Sequence, residues 1–411
     1  MLRRLHQRLV RVHPQLPVYL AAIALSGAAG GMWETSFSNY LNDTFHIGAA
    51  ARGMIEFPRE LPGLLTAFSA GLLCFLPEAR MGAVAFALAG LGMVGVAGIG
   101  RSWGAMLASV IVWSVGTHLA MPVTSSLTMS LASERSRGRR LGQVGAVGRL
   151  GTITGCAVVW FLGRAGGVRY SAIFLTGACA FFLAAALLSG LRVGLRHPRP
   201  RLIASRHYWL YYVLELLMGA RKQIFLTFGP WVLVKIFGQP PATFAKLWIV
   251  TAVIGLFFAP TLGRLIDRFG ERAILVADAF VLFVVCIAYG FAESLLGHGS
   301  GTLYVLYGAY IIDQLSFDTG MARATFISKT VATPDHLAPT LSLGVSINHA
   351  VSMSVPTAGG LLWERSGYPW VFLCAGLLSV VYMAFAALVR TRPGAARVSL
   401  CQADQQVRAE H

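Results

Sequence analysis

The chain alternates long apolar runs with short basic loops, and that alternation leaves few folds open to it. The hydrocarbon core of a bilayer takes about 20 apolar residues of helix. Runs of that length fall at 17–40, 53–76, 81–100, 104–131, 141–163, 170–190, 208–237, 242–265, 272–292, 302–328, 338–363 and 368–390. They occupy most of the 411 residues and leave no room for a separate soluble domain. Charged residues make up 12% of the chain, against about 25% in soluble domains. Too few charges exist to cover a water-facing surface, and too many apolar residues for disorder. The expected fold is all-α and integral to the membrane, with twelve transmembrane helices.

The net charge of +17 suggests nucleic acid only until the basic residues are located. They cluster in short loops, where they act as topology signals. The segment Arg135, Arg137, Arg139 and Arg140 precedes the fifth span, and Arg192, Arg196, Arg199, Arg201 and Arg206 lie in the loop after the sixth. Both loops fall on the same side as the termini. Multi-pass insertion with both termini cytoplasmic is therefore expected, in a bacterial inner (plasma) membrane. The long basic loop divides the chain into a six-helix bundle (1–190), a linker (191–207), a second six-helix bundle (208–390) and a cytoplasmic tail (391–411). Six scattered cysteines, five of them in apolar runs and none in a C-x-x-C pair, read as small core residues. In the fifth span Gly142, Gly145, Gly148, Gly151 and Gly155 recur every three or four residues. That spacing makes a groove for close helix packing, or for sliding between halves.

The turn after the eighth span reads Gly263-Arg264-Leu265-Ile266-Asp267-Arg268-Phe269-Gly270-Glu271-Arg272. It resembles the G-x-x-x-D-R-x-G-x-[RK] signature of the major facilitator superfamily. Arg137-Gly138-Arg139-Arg140-Leu141-Gly142 is similar to that family's R-G-R-x-x-G pattern. The corresponding turn after the second span, Phe75-Leu76-Pro77-Glu78-Ala79-Arg80-Met81, keeps only a charged remnant. The fifth-span antiporter signature is absent: its glycines stand without a proline and with Arg149 among them. The resemblance covers the whole chain. It implies two pseudo-symmetric bundles, alternating access, a cavity lined by spans one, four, seven and ten, and a monomer. It also implies that Asp267 and Arg268, with Gly263, Gly270 and Arg272, brace a cytoplasmic gate.

Charges at membrane depth cost at least about 2.5–3.5 kcal/mol each, so each one calls for a role. Arg221, Lys222 and Gln223 stand in the middle of the seventh span, His118 in the fourth, and Asn348 and His349 in the eleventh. Arg supplies a fork and Lys a point charge for a carboxylate or phosphate, so Arg221, Lys222, Gln223, His118 and Asn348 form a candidate solute site. The alternative is internal neutralisation of Arg221 by Asp313, Asp318 or Glu34. Those three acids are candidates for proton coupling, because a carboxylate in low dielectric exchanges protons nearer neutral pH. Asp313 also reads as a permanent partner of Arg221 or Arg323, and Arg149 as a partner of Glu215. Glu56, Arg59 and Glu60 share one face of the second span, beside Pro58 and Pro62, which invite a bend. They read as a gate latch or as a structural ion pair.

No metal cluster, phosphate-cradling loop or nucleophile triad is visible, so no cofactor and no enzymatic activity are expected. The leading expectation is a secondary transporter of a small anionic solute by proton symport, with the solute, the lipid bilayer and protons or another coupling ion as partners. The alternatives are a drug or metabolite exporter of the same fold and a transporter-like membrane receptor or assembly protein.

Overall fold

The computed structural model describes residues 14–65, 76–98, 102–132, 137–164, 167–193, 204–333 and 336–390. Residues 133–136, most of the predicted linker and the tail from 391 lie outside them. Every one of the predicted spans carries helix, and no strand occurs among the described residues. The reason is the solvent: inside hydrocarbon each backbone N–H and C=O must bond within its own segment, which a helix does.

Span one is Leu16–Phe45, opened by Pro17 and closed by His46 in the left-handed region, whose N–H bonds to the Asn42 carbonyl. Span two begins at Ala49 rather than 53; its described part is Ala49–Met54 and Glu56–Leu64. Spans three to six are Glu78–Gly98, Trp103–Ser130, Arg137–Arg164 and Tyr170–Ser189. Span seven is Trp209–Lys235. Spans eight and nine run through Pro241–Leu296 and are separated only at Gly270, where φ is 82°. A side chain is strained at such a φ, so glycine makes this tight turn possible. Span ten is broken: Ser300–Leu315, a 3-10 stretch Ser316–Thr319, then Gly320–Thr330. Spans eleven and twelve are Leu337–Ser366 and Tyr368–Ala386.

By length and hydropathy alone, spans one, three, four, five, six and twelve and the joined eight and nine are apolar enough to cross a membrane. The stretches outside that class are spans two, seven, ten and eleven. These carry most of the candidate site or are interrupted along their length.

The chain forms two compact units. Unit 1 comprises Met1–Pro200, Leu226–Leu256 and Ser352–Tyr368; unit 2 comprises Arg201–Phe225, Phe257–Val351 and Pro369–His411. In unit 1, spans one and five meet backbone to backbone. A Cβ on Gly151 or Gly155 would strike the carbonyl oxygens of Ala24 and Ala28, and one on Gly31 would lie 2.6 Å from that of Thr152. Gly142 and Gly145 face open space. The fifth-span glycines are thus packing surface where they touch span one.

Unit 1 also gathers segments from both ends of the sequence. Asn39 donates to the Gln239 carbonyl at 2.7 Å, and Lys235 to Asn42 at 3.3 Å. The Ala50 N–H donates to Glu364 at 2.9 Å. Gly53 abuts the Pro356 carbonyl and Gly360 the Ala49 carbonyl, each too close for a Cβ. Spans one and two are thereby held against spans seven and eleven. Unit 2 has its own core, in which Leu214, Met218, Leu275, Leu282, Phe326 and Tyr382 are buried together.

Candidate functional site

In unit 1 a charge cluster is built mostly on one helix face. Glu56 is fully buried and accepts from Arg52 at 2.5 Å and from Arg59 Nε at 2.6 Å. Arg59 also reaches Glu60 at 2.8 Å. The spacings i,i+4 and i,i+3 put these side chains together without help from another helix. Span four supplies the other wall. The Ser114 hydroxyl donates to the Arg59 carbonyl, and His118 Nδ1 lies 2.9 Å from the Ser114 carbonyl. His118 Nε2 stands 3.9 Å from Glu60, an ion pair whenever the ring is protonated.

Glu34 completes the cluster from span one. It is exposed while Trp33, Thr35 and Ser36 beside it are buried. Arg59, Glu56, Arg52 and Glu60 all lie within electrostatic reach of it. Three acids and two guanidiniums thus share one region, with one carboxylate open. The sequence expectation for Glu56, Arg59 and Glu60 omitted Arg52. Its i,i+4 spacing to Glu56 was the signal that would have added it.

In unit 2 the pairs join different helices. Arg221 of span seven bonds Asp313 of span ten; they are 1% and 0% exposed. Arg323 bonds Glu215 at 2.9 Å. Of the partners considered for Asp313, Arg221 is the one it has. Glu215 is engaged by Arg323, not by Arg149. Lys222 is half-buried and donates to the amide oxygen of Asn348 at 2.8 Å. Asn348 in turn reaches the Glu215 carbonyl at 3.4 Å. Close packing of Gly219 against Asn348 fixes that amide. Gln223 is buried, and Asp318 is half-buried in the 3-10 break.

Sequence reasoning missed Asp278 of span nine, 7% exposed and accepting from Thr319 at 3.0 Å. A single acid in an otherwise apolar run leaves no periodic signal, though its cost at that depth was the clue.

In the turn between spans eight and nine the motif residues and the buried ion pair are different side chains. Asp267, Arg268 and Arg272 are exposed, and the Arg268 guanidinium stacks over Phe269. The buried acid is Glu271, 1% exposed, held by Lys329 at 2.5 Å. The remnant in the first half behaves alike: Glu78, 6% exposed, accepts from Ser126 of span four at 2.5 Å. In both halves an acid opening the next span is tied to the end of span four or ten.

Residues 18–332 match the profile of the Major Facilitator Superfamily. The fold is similar to the crystal structure of the nucleoside transporter NupG, with a TM-score of 0.72 and 14% identity over 92% of this chain and 100% of that one. It is also similar to the D-xylose-proton symporter, with a TM-score of 0.67 and 16% identity over 92% and 99% of the two chains. A third likeness is to a bacterial homolog of the human lysosomal transporter Spinster, inward-facing and unoccupied. There the TM-score is 0.69 and the identity 14%, over 92% and 96%. No curated protein matches the chain in sequence. At such identities the likeness speaks for the fold alone.

Proposed function

The chain belongs to the major facilitator superfamily, and on that premise we propose that it carries a small anionic solute by proton symport and alternating access. The proton-coupling part rests chiefly on Glu34, an exposed carboxylate at membrane depth set against the buried Arg52 and the half-buried Arg59. A proton arriving at Glu34 removes one negative charge from a cluster of three acids and two arginines. Arg59 is then held less strongly toward span one, and the contacts of spans one and two can loosen. That converts a protonation event into a helix movement.

Lys222 is the solute anchor in this reading. Its described hydrogen bond goes to a neutral amide oxygen, which a carboxylate or phosphate can outcompete because a charge-assisted bond is the stronger one. Gln223 and Asn348 would orient the solute. Arg221 would act by holding Asp313 and setting the position of Lys222 one residue on. Asp313 and Asp318 are secondary candidates for the coupling proton.

The moving parts are the two six-helix bundles, 1–190 and 208–390, joined by the basic linker 191–207, in a monomer in the bacterial inner membrane with cytoplasmic termini. On the side away from the termini the gate would be the packing of Gly53 and Gly360 with the bonds at Asn39 and Glu364. Glu56, Arg59 and Glu60 would brace span two behind it. On the cytoplasmic side the gate would be Gly263, Asp267, Arg268, Gly270 and Arg272, with Glu271 and Lys329 as its buried pair.

A thermal-stability screen of the purified protein against anionic, neutral and lipophilic cationic metabolites tests this. Ligand at a hundredfold excess over Kd stabilises the folded state by about 2.7 kcal/mol. Anions are expected to stabilise the wild type and not Lys222→Ala. Stabilisation by lipophilic cations, equal in both proteins, would overturn the anion reading.

A further inference from the structure

Unit 2 contains an acid that the proposed cycle does not use. Asp278 of span nine lies among the buried Leu275, Ala279 and Leu282. Two guanidiniums lie within its electrostatic reach, Arg221 from span seven and Arg323 from span ten. Both are committed elsewhere, Arg221 to Asp313 and Arg323 to Glu215. Among the described residues Asp278 makes no ion pair of its own. Three acids therefore share two bases. A buried carboxylate in surplus is expensive as an ion and is made cheaper by taking a proton.

Its neighbours give that proton a consequence. The Thr319 hydroxyl faces two acceptors, Asp278 Oδ2 at 3.0 Å and the Ser316 carbonyl at 2.7 Å. It has one proton to give. An ionised Asp278 is the stronger acceptor and takes it. A protonated Asp278 releases it to the Ser316 carbonyl, which closes the 3-10 turn Ser316–Thr319 inside span ten. Short 3-10 runs within a helix often mark hinges. The Ser316 hydroxyl faces the same carboxylate, and Tyr382 of span twelve lies near both Asp278 and Arg323. Among the described residues Nε and Nη2 of Arg221 are buried without a hydrogen-bond partner, so Arg221 has donors with which to compensate an ionised Asp278.

We propose that Asp278 is a proton-binding site that sets the span-ten hinge through Thr319, with Arg221 shared between Asp313 and Asp278 when the site is empty. The step is a simple one: the carboxylate takes a proton from water and later returns it to water, with no bond to solute. The proposal stands on Asp278 and Thr319 and on the three acids and two guanidiniums around them, and does not depend on Glu34 or on solute binding at Lys222.

Infrared difference spectroscopy of the full-length protein in lipid, acid minus alkaline and without any solute, reads it directly. A carboxylic-acid band is expected in the wild type and is expected to be lost in Asp278→Asn. In Thr319→Val the band should persist with its titration moved to higher pH, because the ionised form has lost a donor. That variant keeps the acid and serves where Asp278→Asn fails to fold. A band unchanged in Asp278→Asn, a band lost only in Asp313→Asn, or an unshifted titration in Thr319→Val would each overturn the proposal. None of these outcomes bears on the anion screen, so the two readings fail separately.

Discussion

The two units handle the same chemical inventory in opposite ways. Unit 1 holds Glu34, Glu56 and Glu60 against Arg52 and Arg59; unit 2 holds Glu215, Asp278 and Asp313 against Arg221 and Arg323. In unit 1 the guanidinium–carboxylate pairs lie within one stretch, Arg52 to Glu60, so span two carries its own neutralisation wherever it moves. In unit 2 the Arg221–Asp313 and Arg323–Glu215 pairs bridge span seven and span ten, 92 and 108 residues apart in sequence. A movement of span seven against span ten must stretch those pairs. The first cluster leaves one carboxylate open on a neighbouring span; the second ties two helices together.

That contrast can be broken in order of expected effect. Arg221→Ala should cost most, because it strands Asp313 in a site that is 0% exposed; removing one partner of a buried pair costs about 3–5 kcal/mol. Thermal unfolding in detergent measures it. The double replacement Arg221→Met with Asp313→Leu should recover most of that loss, since neither charge is then buried alone. A double variant as unstable as the two singles combined would show that the pair does more than neutralise itself.

Gly360→Val comes next. Its Cβ meets the Ala49 carbonyl, and overpacking of this kind costs about 1–3 kcal/mol. Spans two and eleven should separate, so a cysteine placed at Ala49 should label faster with a membrane-impermeant maleimide. Unchanged labelling would mean the contact is not a moving one.

Lys329→Met should have a smaller effect on stability than Arg221→Ala, because its ammonium is partly solvated and such pairs contribute about 0–1 kcal/mol, to which the cost of leaving Glu271 buried is added. Glu34→Gln should alter stability least of all, since the carboxylate is exposed. Its effect belongs to transport: uptake driven by a pH gradient should be lost while exchange is spared. Retained pH-driven uptake in Glu34→Gln would move the coupling role to Asp313 or Asp318.

Much of the fold was legible in the residues themselves. The apolar runs mark helices, and the Asp267–Arg272 turn marks the family. The acids and bases of spans one, two, seven and ten could be picked out by their cost alone. The sequence could not tell which base each acid meets. Glu215 was as compatible with Arg149 as with Arg323, and Asp313 as compatible with Arg323 as with Arg221. Asp278 passed unnoticed because its partners sit on other helices. Arg52 was the exception, being readable from i,i+4 spacing within one helix.

What the amino-acid sequence determined is therefore what depends on about twenty neighbouring residues: insertion, helicity and the local charge ladder of span two. Those follow from hydropathy and 3.6-residue periodicity, which act along one segment. What the tertiary structure decided is the pairing across helices: Arg221 with Asp313, Glu215 with Arg323, Thr319 with Asp278, Gly151 and Gly155 on span one. Such pairings depend on the rotation and depth of each helix relative to its neighbours. Packing of whole faces sets those two quantities, and no spacing within a single segment encodes them.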